Sequence, residues 1–171
     1  ATGSVKESKN LTVNHTVSTG LSNSVVVVSL LISTPLNTLT NLTYGGLNLT
    51  FIESSQQGSV TLAVYSLINP PSETNALTIN TNSNTDITLA VTSFGNVDQD
   101  NIFSSIQKVN GNSGNISKTI DCNENSFAID FLSLEDKTAT EGPGQTVLFN
   151  HLNPNGADRL LSSYKVATSG T

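Results

Sequence analysis

The stretch SVVVVSLLIS, residues 24–33, decides the fold. It does not alternate apolar with polar residues, which indicates a strand buried on both faces and therefore central in a sheet. Turn-forming residues and all five prolines separate the other strand candidates, as expected for ladder strands. These candidates are 11–17, 39–44, 47–53, 59–67, 76–80, 86–94, 116–121, 126–134, 145–149 and 160–167.

Many short strands at regular spacing, with no helical pattern, predict an all-β protein. At 171 residues the chain is long enough for one domain with a substantial core. We expect a single immunoglobulin-like or jelly-roll β-sandwich. A β-barrel would bury much the same residues and remains the alternative.

The charge balance excludes several classes of partner. Charged residues make up 12% of the chain, and the net charge is −6, so a basic nucleic-acid footprint and a polybasic membrane patch are both absent. No apolar run approaches the roughly 18 residues of a membrane span. Asn, Thr and Ser instead supply 66 of the 171 residues. Such a surface is polar but weakly charged, and it benefits from a covering that keeps it soluble.

Acceptor triplets for N-linked glycans suggest that covering. In four of the five triplets the asparagine is out of phase with the apolar residues of its strand and should point to solvent. The fifth lies in the turn-like NGNSGN. We expect glycans on most of them, and the alternative is a set of plain surface polar residues. The five asparagines are Asn10, Asn14, Asn41, Asn48 and Asn115.

The compartment follows from the same pattern. A lone Cys122 excludes an internal disulfide framework, and a first residue other than Met suggests a trimmed precursor. We expect an exported, N-terminally processed, extracellular protein. A glycan-coated protein without disulfides fits an archaeal cell surface better than a eukaryotic secreted protein.

Residues that carry chemistry are few, which predicts that the protein is not an enzyme and binds no cofactor or metal. His15 and His151 are the only histidines, and no His/Glu cluster or nucleophile motif is present. Asp98 and Asp100 stand two apart, as in a calcium loop or, alternatively, in a polar turn. The absence of Trp disfavours a sugar-binding platform.

One acid occurs where a core strand is expected. SFAIDFLSL places Asp130 among apolar residues, and a carboxylate there needs a partner. We interpret it as a buried structural acid or an edge residue. The alternative is the helper carboxyl of a Lys–Asn isopeptide cross-link, for which the sequence assigns no pair.

Six segments resemble a β-sandwich domain common on prokaryotic surface proteins: TYGGLNLTFI, LAVYSLINPPSETNALTI, ITLAVTSFGNVDQ, SFAIDFLSL, ATEGPGQTVLFN and GADRLLSSYKVATSGT. Its Y-x-L-x-N-P-P and G-x-G-Q elements are matched by Tyr65, Leu67, Asn69, Pro70, Pro71, Gly142, Gly144 and Gln145. More narrowly, the chain resembles the subunit of the archaeal thread filament. That resemblance implies a head-to-tail homopolymer held by donor-strand complementation, with a role in adhesion or biofilms.

The chain departs from the sandwich family in one respect. The family element matching SSYKVATSGT is followed by a further strand, whereas this sequence stops at Thr171. We therefore expect a sandwich, residues 18–171, that lacks one strand. Residues 1–17 of a neighbouring subunit would complete it as the donor strand. The plug residues would be Val5, Leu11, Val13 and Val17.

Two points stay open at this stage. Family alignment leaves only ATGSVKESK as the donor, but hydrophobicity favours the longer segment through Val17. The alternative function is a monomeric cell-surface adhesion or glycan-binding module. The expected partners are other copies of the chain and other cells or surfaces, with neither nucleic acid nor a membrane span.

Overall fold

The computed structural model describes residues 1–111, 116–135, 137–153 and 156–167. Apart from one 3-10 turn at Leu36–Thr38, its regular elements are all strands. The strands are β1 (Thr2–Val17), β2 (Val25–Ile32), β3 (Leu39–Tyr44), β4 (Leu47–Asn48), β5 (Thr50–Gln57), β6 (Val60–Ile68), β7 (Glu73–Phe94), β8 (Phe127–Glu135), β9 (Thr146–Leu152) and β10 (Asp158–Val166). The prediction of an all-β fold is confirmed.

Seven strands form the larger sheet, in the order β4-β3-β7-β2-β6-β5, with β1 added on β7. The 22-residue β7 organises this sheet. Along one edge it pairs with β1, and along the other with β3 over its first half and β2 over its second half. Because β4 and β5 are separated by one residue, the sheet is nearly closed on itself.

Residues 24–33, predicted to form a central strand, contain β2, which lies in the middle of the larger sheet. All eight residues of β2 are buried, and β2 lies between β6 and β7. Its alternate residues Val26, Val28, Leu30 and Ile32 enter the main core. On the opposite face, Leu31 packs toward the second sheet. Both faces of β2 are therefore buried, as its lack of alternation indicated.

A separate three-stranded sheet, β8-β10-β9, covers the outer face of the larger one. Leu160 of β10 packs with Leu31 of β2 and Ala90 of β7. The two sheets form the layers expected for a β-sandwich.

Four strand predictions, in three regions, need correction, and the first strand begins at Thr2 instead of at residue 11. Segments 76–80 and 86–94 are one strand, because the polar residues between them stay in the sheet instead of forming the expected turn. Segment 47–53 is divided between β4 and β5. Segment 116–121 forms no strand; it offers only Ile116 and Ile120 as apolar residues, and Ile116 remains exposed. Two apolar residues four apart cannot bury a strand face.

Candidate functional site: the N-terminal strand and its groove

The N-terminal strand β1 lies in a groove along β7. The two strands pair antiparallel from Thr2 opposite Ala90 to Val17 opposite Glu73, with register shifts on either side of Ser8. Within the described residues β1 pairs with β7 alone. A terminal strand held by a single ladder can leave without breaking any other strand pair.

The four predicted plug residues all face the groove. Val17 is 1% exposed and belongs to the main core cluster. Val5, Leu11 and Val13 are partly buried and pack against the same cluster. Here the groove belongs to the chain's own sheet. Insertion of the same strand into a neighbouring subunit stays a prediction, as does the division at residue 17.

Strand β1 also packs against itself, a contact that sequence reasoning missed. Glu7, at a register shift, has a φ of 46°, and its backbone N–H donates to a carboxylate oxygen of Asp86 at 2.8 Å. The two halves of β1 are thereby angled toward each other. A Cβ atom built on Gly3 would collide with Cγ2 of Val13. Because Gly3 has no side chain, both halves of β1 can pack closely over the core.

Gly3→Ala is expected to destabilise the protein by about 1–3 kcal/mol, because an added methyl group overpacks the contact with Val13. Urea unfolding measures this loss. The matched control is Gly20→Ala, since nothing lies within 4 Å of a Cβ at Gly20. Val13→Ala in the Gly3→Ala background should recover part of the loss. Equal unfolding midpoints for Gly3→Ala and wild type would show that the contact between Gly3 and Val13 tolerates an added methyl group.

His15 occupies the inward face between Val13 and Val17. The buried Tyr44 hydroxyl of β3 donates to the backbone carbonyl of His15 at 3.0 Å, and the two rings lie 6.2 Å apart. The imidazole Nε2 is buried and has no hydrogen-bond partner among the described residues. Burial, and next the positive amino group of Ala1, lower the pKa of His15 from 6.5 to about 4. Alternation along the strand places His15 on the inward face, but its contact with Tyr44, 29 residues away, could not be predicted from the sequence.

The outer surface of the sheet carries four of the five predicted glycan acceptors. Strand pairing aligns Asn10 with Asn80 and Asn41, and Thr12 with Thr78, Thr43 and Asn48. Partners across a ladder share a face of the sheet, so the acceptors of β1, β3 and β4 share one face. Asn10, Asn14 and Asn48 are exposed, and Asn41 is half-buried. Asn115 lies outside the described residues, and glycosylation stays a prediction.

Asp130 lies on β8, half-buried, with three hydrogen-bond donors. Its carboxylate accepts from the backbone N–H of Ser163 at 2.8 Å, from the Ser163 hydroxyl at 2.7 Å and from the Gln145 amide at 2.6 Å. The Gln145 carbonyl oxygen in turn accepts from the N–H of Gly142 at 2.6 Å. Asp130 therefore ties the G-x-G-Q turn to β10. The interpretation as a structural acid accounts for these contacts.

The other candidates from the sequence lie apart from the groove. Asp98 accepts hydrogen bonds from the backbone N–H groups of Asp100, at 2.9 Å, and Asn101, at 3.3 Å, so its carboxylate closes a polar turn. Cys122 is an exposed free thiol. His151 of β9 contacts β1 through the Ser4 hydroxyl at 2.9 Å. In the described part of the chain no group of three or more His, Cys, Asp or Glu side chains is placed to hold a metal ion.

One further acid was not anticipated from the sequence. Asp158 is 7% exposed at the start of β10, and the buried Asn153 donates to its carboxylate at 3.2 Å. Burial raises the pKa of Asp158, and the carboxylates of Glu135 and Asp86 add to this effect. Because Asp86 also accepts the N–H of Glu7, these acids lie close to the bend of β1.

The fold and the groove define a class: an all-β, two-layer protein whose N-terminal strand fills an edge groove of the larger sheet. No protein-family model, curated protein or solved structure matches the chain. Among the residues that the structure describes, no helix has the length and apolar character needed to cross a membrane.

Proposed function

We propose that the chain is a structural subunit that polymerises head to tail into an extracellular filament. Each copy would place its β1 in the β7 groove of the next copy. The observation that carries the proposal is the arrangement of β1, which within the described residues pairs with β7 alone and supplies a row of apolar side chains to the core. A glycosylated filament on an archaeal cell surface, acting in adhesion, completes the proposal.

Exchange between copies requires no new contacts in the groove. A strand received from a neighbour makes the same ladder and the same apolar contacts as the chain's own strand, so the two arrangements differ mainly at the hinge, residues 18–24. Among the described residues, four backbone hydrogen bonds hold the hinge. Their donors and acceptors are Leu21 N–H to Ser18 at 3.2 Å, Asn69 N–H to Ser24 at 2.9 Å, Asn96 N–H to Ser22 at 2.8 Å and Val97 N–H to Asn23 at 3.0 Å. A head-to-tail contact that does not close yields an open fibre.

The buried side chains of β1 hold the strand firmly in a groove, whether that groove belongs to its own chain or to a neighbouring copy. Each fully buried aliphatic side chain contributes about 1.5–3 kcal/mol, so the four plug residues, three of them partly exposed, contribute roughly 5–10 kcal/mol before ordering costs. The ladder with β7 adds backbone hydrogen bonds. Withdrawal of so long a strand would be slow, and the filament would therefore be kinetically resistant.

The predicted glycans are compatible with strand insertion. Asn10 and Asn14 lie on the exposed face of β1, opposite the side chains that enter the groove. A glycan on either asparagine would project away from the core. The register shifts around Ser8, with the charged Lys6 and Lys9, also protect the edge of β1 that pairs with no described strand against sideways pairing.

A second candidate is a monomeric cell-surface adhesion or glycan-binding module. The observation in its favour is that β1 fills the groove of its own chain, which leaves the single copy with a complete larger sheet. Under this alternative the hinge stays closed, and the outward surfaces carry the function.

The deciding experiment moves residues 1–17 behind Thr171 through a short Gly/Ser linker. Such a linker is feasible because Ala1 and Val166, the last residue of β10, both lie near the end of β7. The Ala1 amino group donates to the Val91 carbonyl of β7 at 2.8 Å. Val166 pairs with Phe127, and the Phe127 ring lies 4.7 Å from that of Phe94, the last residue of β7. The proposal predicts a stable monomer that does not polymerise. Wild type refolded at high concentration should form filaments, visible by electron microscopy and analytical ultracentrifugation.

Two outcomes contradict the proposal. Wild type that stays monomeric after refolding at high concentration supports the adhesion module. A relocated variant that polymerises as well as wild type shows that another surface drives assembly.

A further inference from the structure

We propose that His15 makes the seating of β1 sensitive to acid. Protonation of its ring loosens β1 in the groove and speeds the transfer of the strand between copies. Transfer between copies rests on the proposed function, whereas loosening within the single chain does not.

The position of the ring is the first support. His15 is on the inward face of a strand whose hydrogen-bonded ladder runs to β7 alone within the described residues. Its Nε2 is buried and faces no acceptor in the described part of the core. A protonated imidazole carries N–H donors at both nitrogens. Protonation in place would therefore bury a charge and leave a donor without a partner, which is costly.

The groups around the ring do not compensate the charge. From β3, Tyr44 already donates its hydroxyl proton to the His15 carbonyl. From β7, Asn75 is the ladder partner of His15, and its side-chain N–H groups donate to backbone carbonyls nearby. Glu73 of β7 is exposed and lies opposite Val17. At the N-terminal end, the amino group of Ala1 lies 3.5 Å from the ring Nδ1. Burial lowers the pKa of this amino group from 8.0, and in acid the group carries positive charge.

The lowered pKa sets the pH window. The pKa of His15 is about 4 with β1 seated, because of burial and then the Ala1 amino group, against an ordinary value of 6.5. Stabilisation by the neutral ring is complete above pH 6.5 and is lost as the pH falls from there toward about 4. Since the ring is half-buried, solvent screens part of the effect. We expect strand release on the order of tenfold faster at pH 5 than at pH 7.5.

Acid affects both arrangements of the strand equally. A β1 received from another copy would bring its His15 into the same environment, so protonation destabilises the closed and the exchanged state alike. The expected result is faster exchange and not a shift toward either state.

The test follows capture of a peptide of residues 1–17 by the full chain at pH 7.5 and pH 5. The peptide carries a C-terminal fluorophore and His15→Phe, so that His15 titrates only in the resident strand. Wild type should capture the peptide about tenfold faster at pH 5. The full-length His15→Phe variant should lose most of this pH effect and keep only the part that comes from the Ala1 amino group and the carboxylates, which titrate in both proteins. His151→Asn is the matched control, because His151 also contacts β1, and it should keep the pH effect.

Equal capture rates for wild type at both pH values, or the same ratio in His15→Phe, overturn the proposal. If wild type captures the peptide neither at pH 7.5 nor at pH 5, strand exchange is contradicted, and with it the proposed function. Urea unfolding then decides the role of His15. Between pH 7.5 and pH 5 the free energy of unfolding should fall further in wild type than in His15→Phe. The carboxylates titrate in both proteins and therefore do not cause this difference. An equal fall in the free energy of unfolding of the two proteins overturns the inference.

Discussion

Removal of residues 1–17 should leave the chain unable to fold as a stable monomer, and the same residues added as a peptide should restore the fold. The deletion takes Val17 out of the core and uncovers the apolar residues beneath Val5, Leu11 and Val13. It also frees the edge of β7 from residue 73 to residue 90. The lost burial of roughly 5–10 kcal/mol matches the whole stability of a typical domain, about 5–15 kcal/mol.

Circular dichroism and gel filtration, with and without the peptide, measure this effect. The control peptide has the same composition but exchanges the inward and outward positions of residues 11–17, which places polar side chains toward the groove. It should not restore the fold. Cooperative unfolding of the truncated chain without any peptide would show that β1 is dispensable, and the groove would lose its proposed role.

Val17→Asp should abolish both filament assembly and the stability of the single chain. Val17 is 1% exposed, so an aspartate there buries a carboxylate among apolar side chains. We expect a loss of about 3–5 kcal/mol, from the missing apolar contacts and the buried polar group together. Urea unfolding gives the loss, and electron microscopy of refolded protein reports assembly.

The matched control is Asn14→Asp, on the exposed face of the same strand. It adds the same charge to β1 without entering the core, so stability should change by less than about 0.5 kcal/mol. If the two variants behave alike, the inward face of β1 has no special part in folding. If Val17→Asp unfolds but still assembles, assembly uses a different surface.

The local pattern of the sequence was sufficient for much of the fold. The unbroken apolar run of residues 24–33 predicts a strand buried on both faces, and β2 is such a strand. Alternation along residues 11–17 predicts that Leu11, Val13 and Val17 share one face and that Asn10 and Asn14 share the other, as they do. A strand has a side-chain period of two whichever strand lies beside it, so these assignments need no tertiary information.

The sequence also misled in places where only local signals were used. The polar residues 81–84 indicate a turn, but β7 runs through them as an extended strand. Thr81 pairs with Leu39 of β3, and its hydroxyl contacts the Lys9 carbonyl of β1 at 3.3 Å. These contacts with both neighbouring strands favour the extended backbone and override the local turn propensity.

Which strands pair was decided only by the tertiary structure. Strand β1 adjoins residues about 60 to 90 positions away. That pairing creates the contact of Gly3 with Val13, the burial of His15 beside Tyr44 and the shared face of four predicted glycan acceptors. The sequence by itself determined the face that each residue presents, since alternation is a property of a few neighbouring residues. Partner and register depend on competition among many similar edges, which only packing of the whole core resolves.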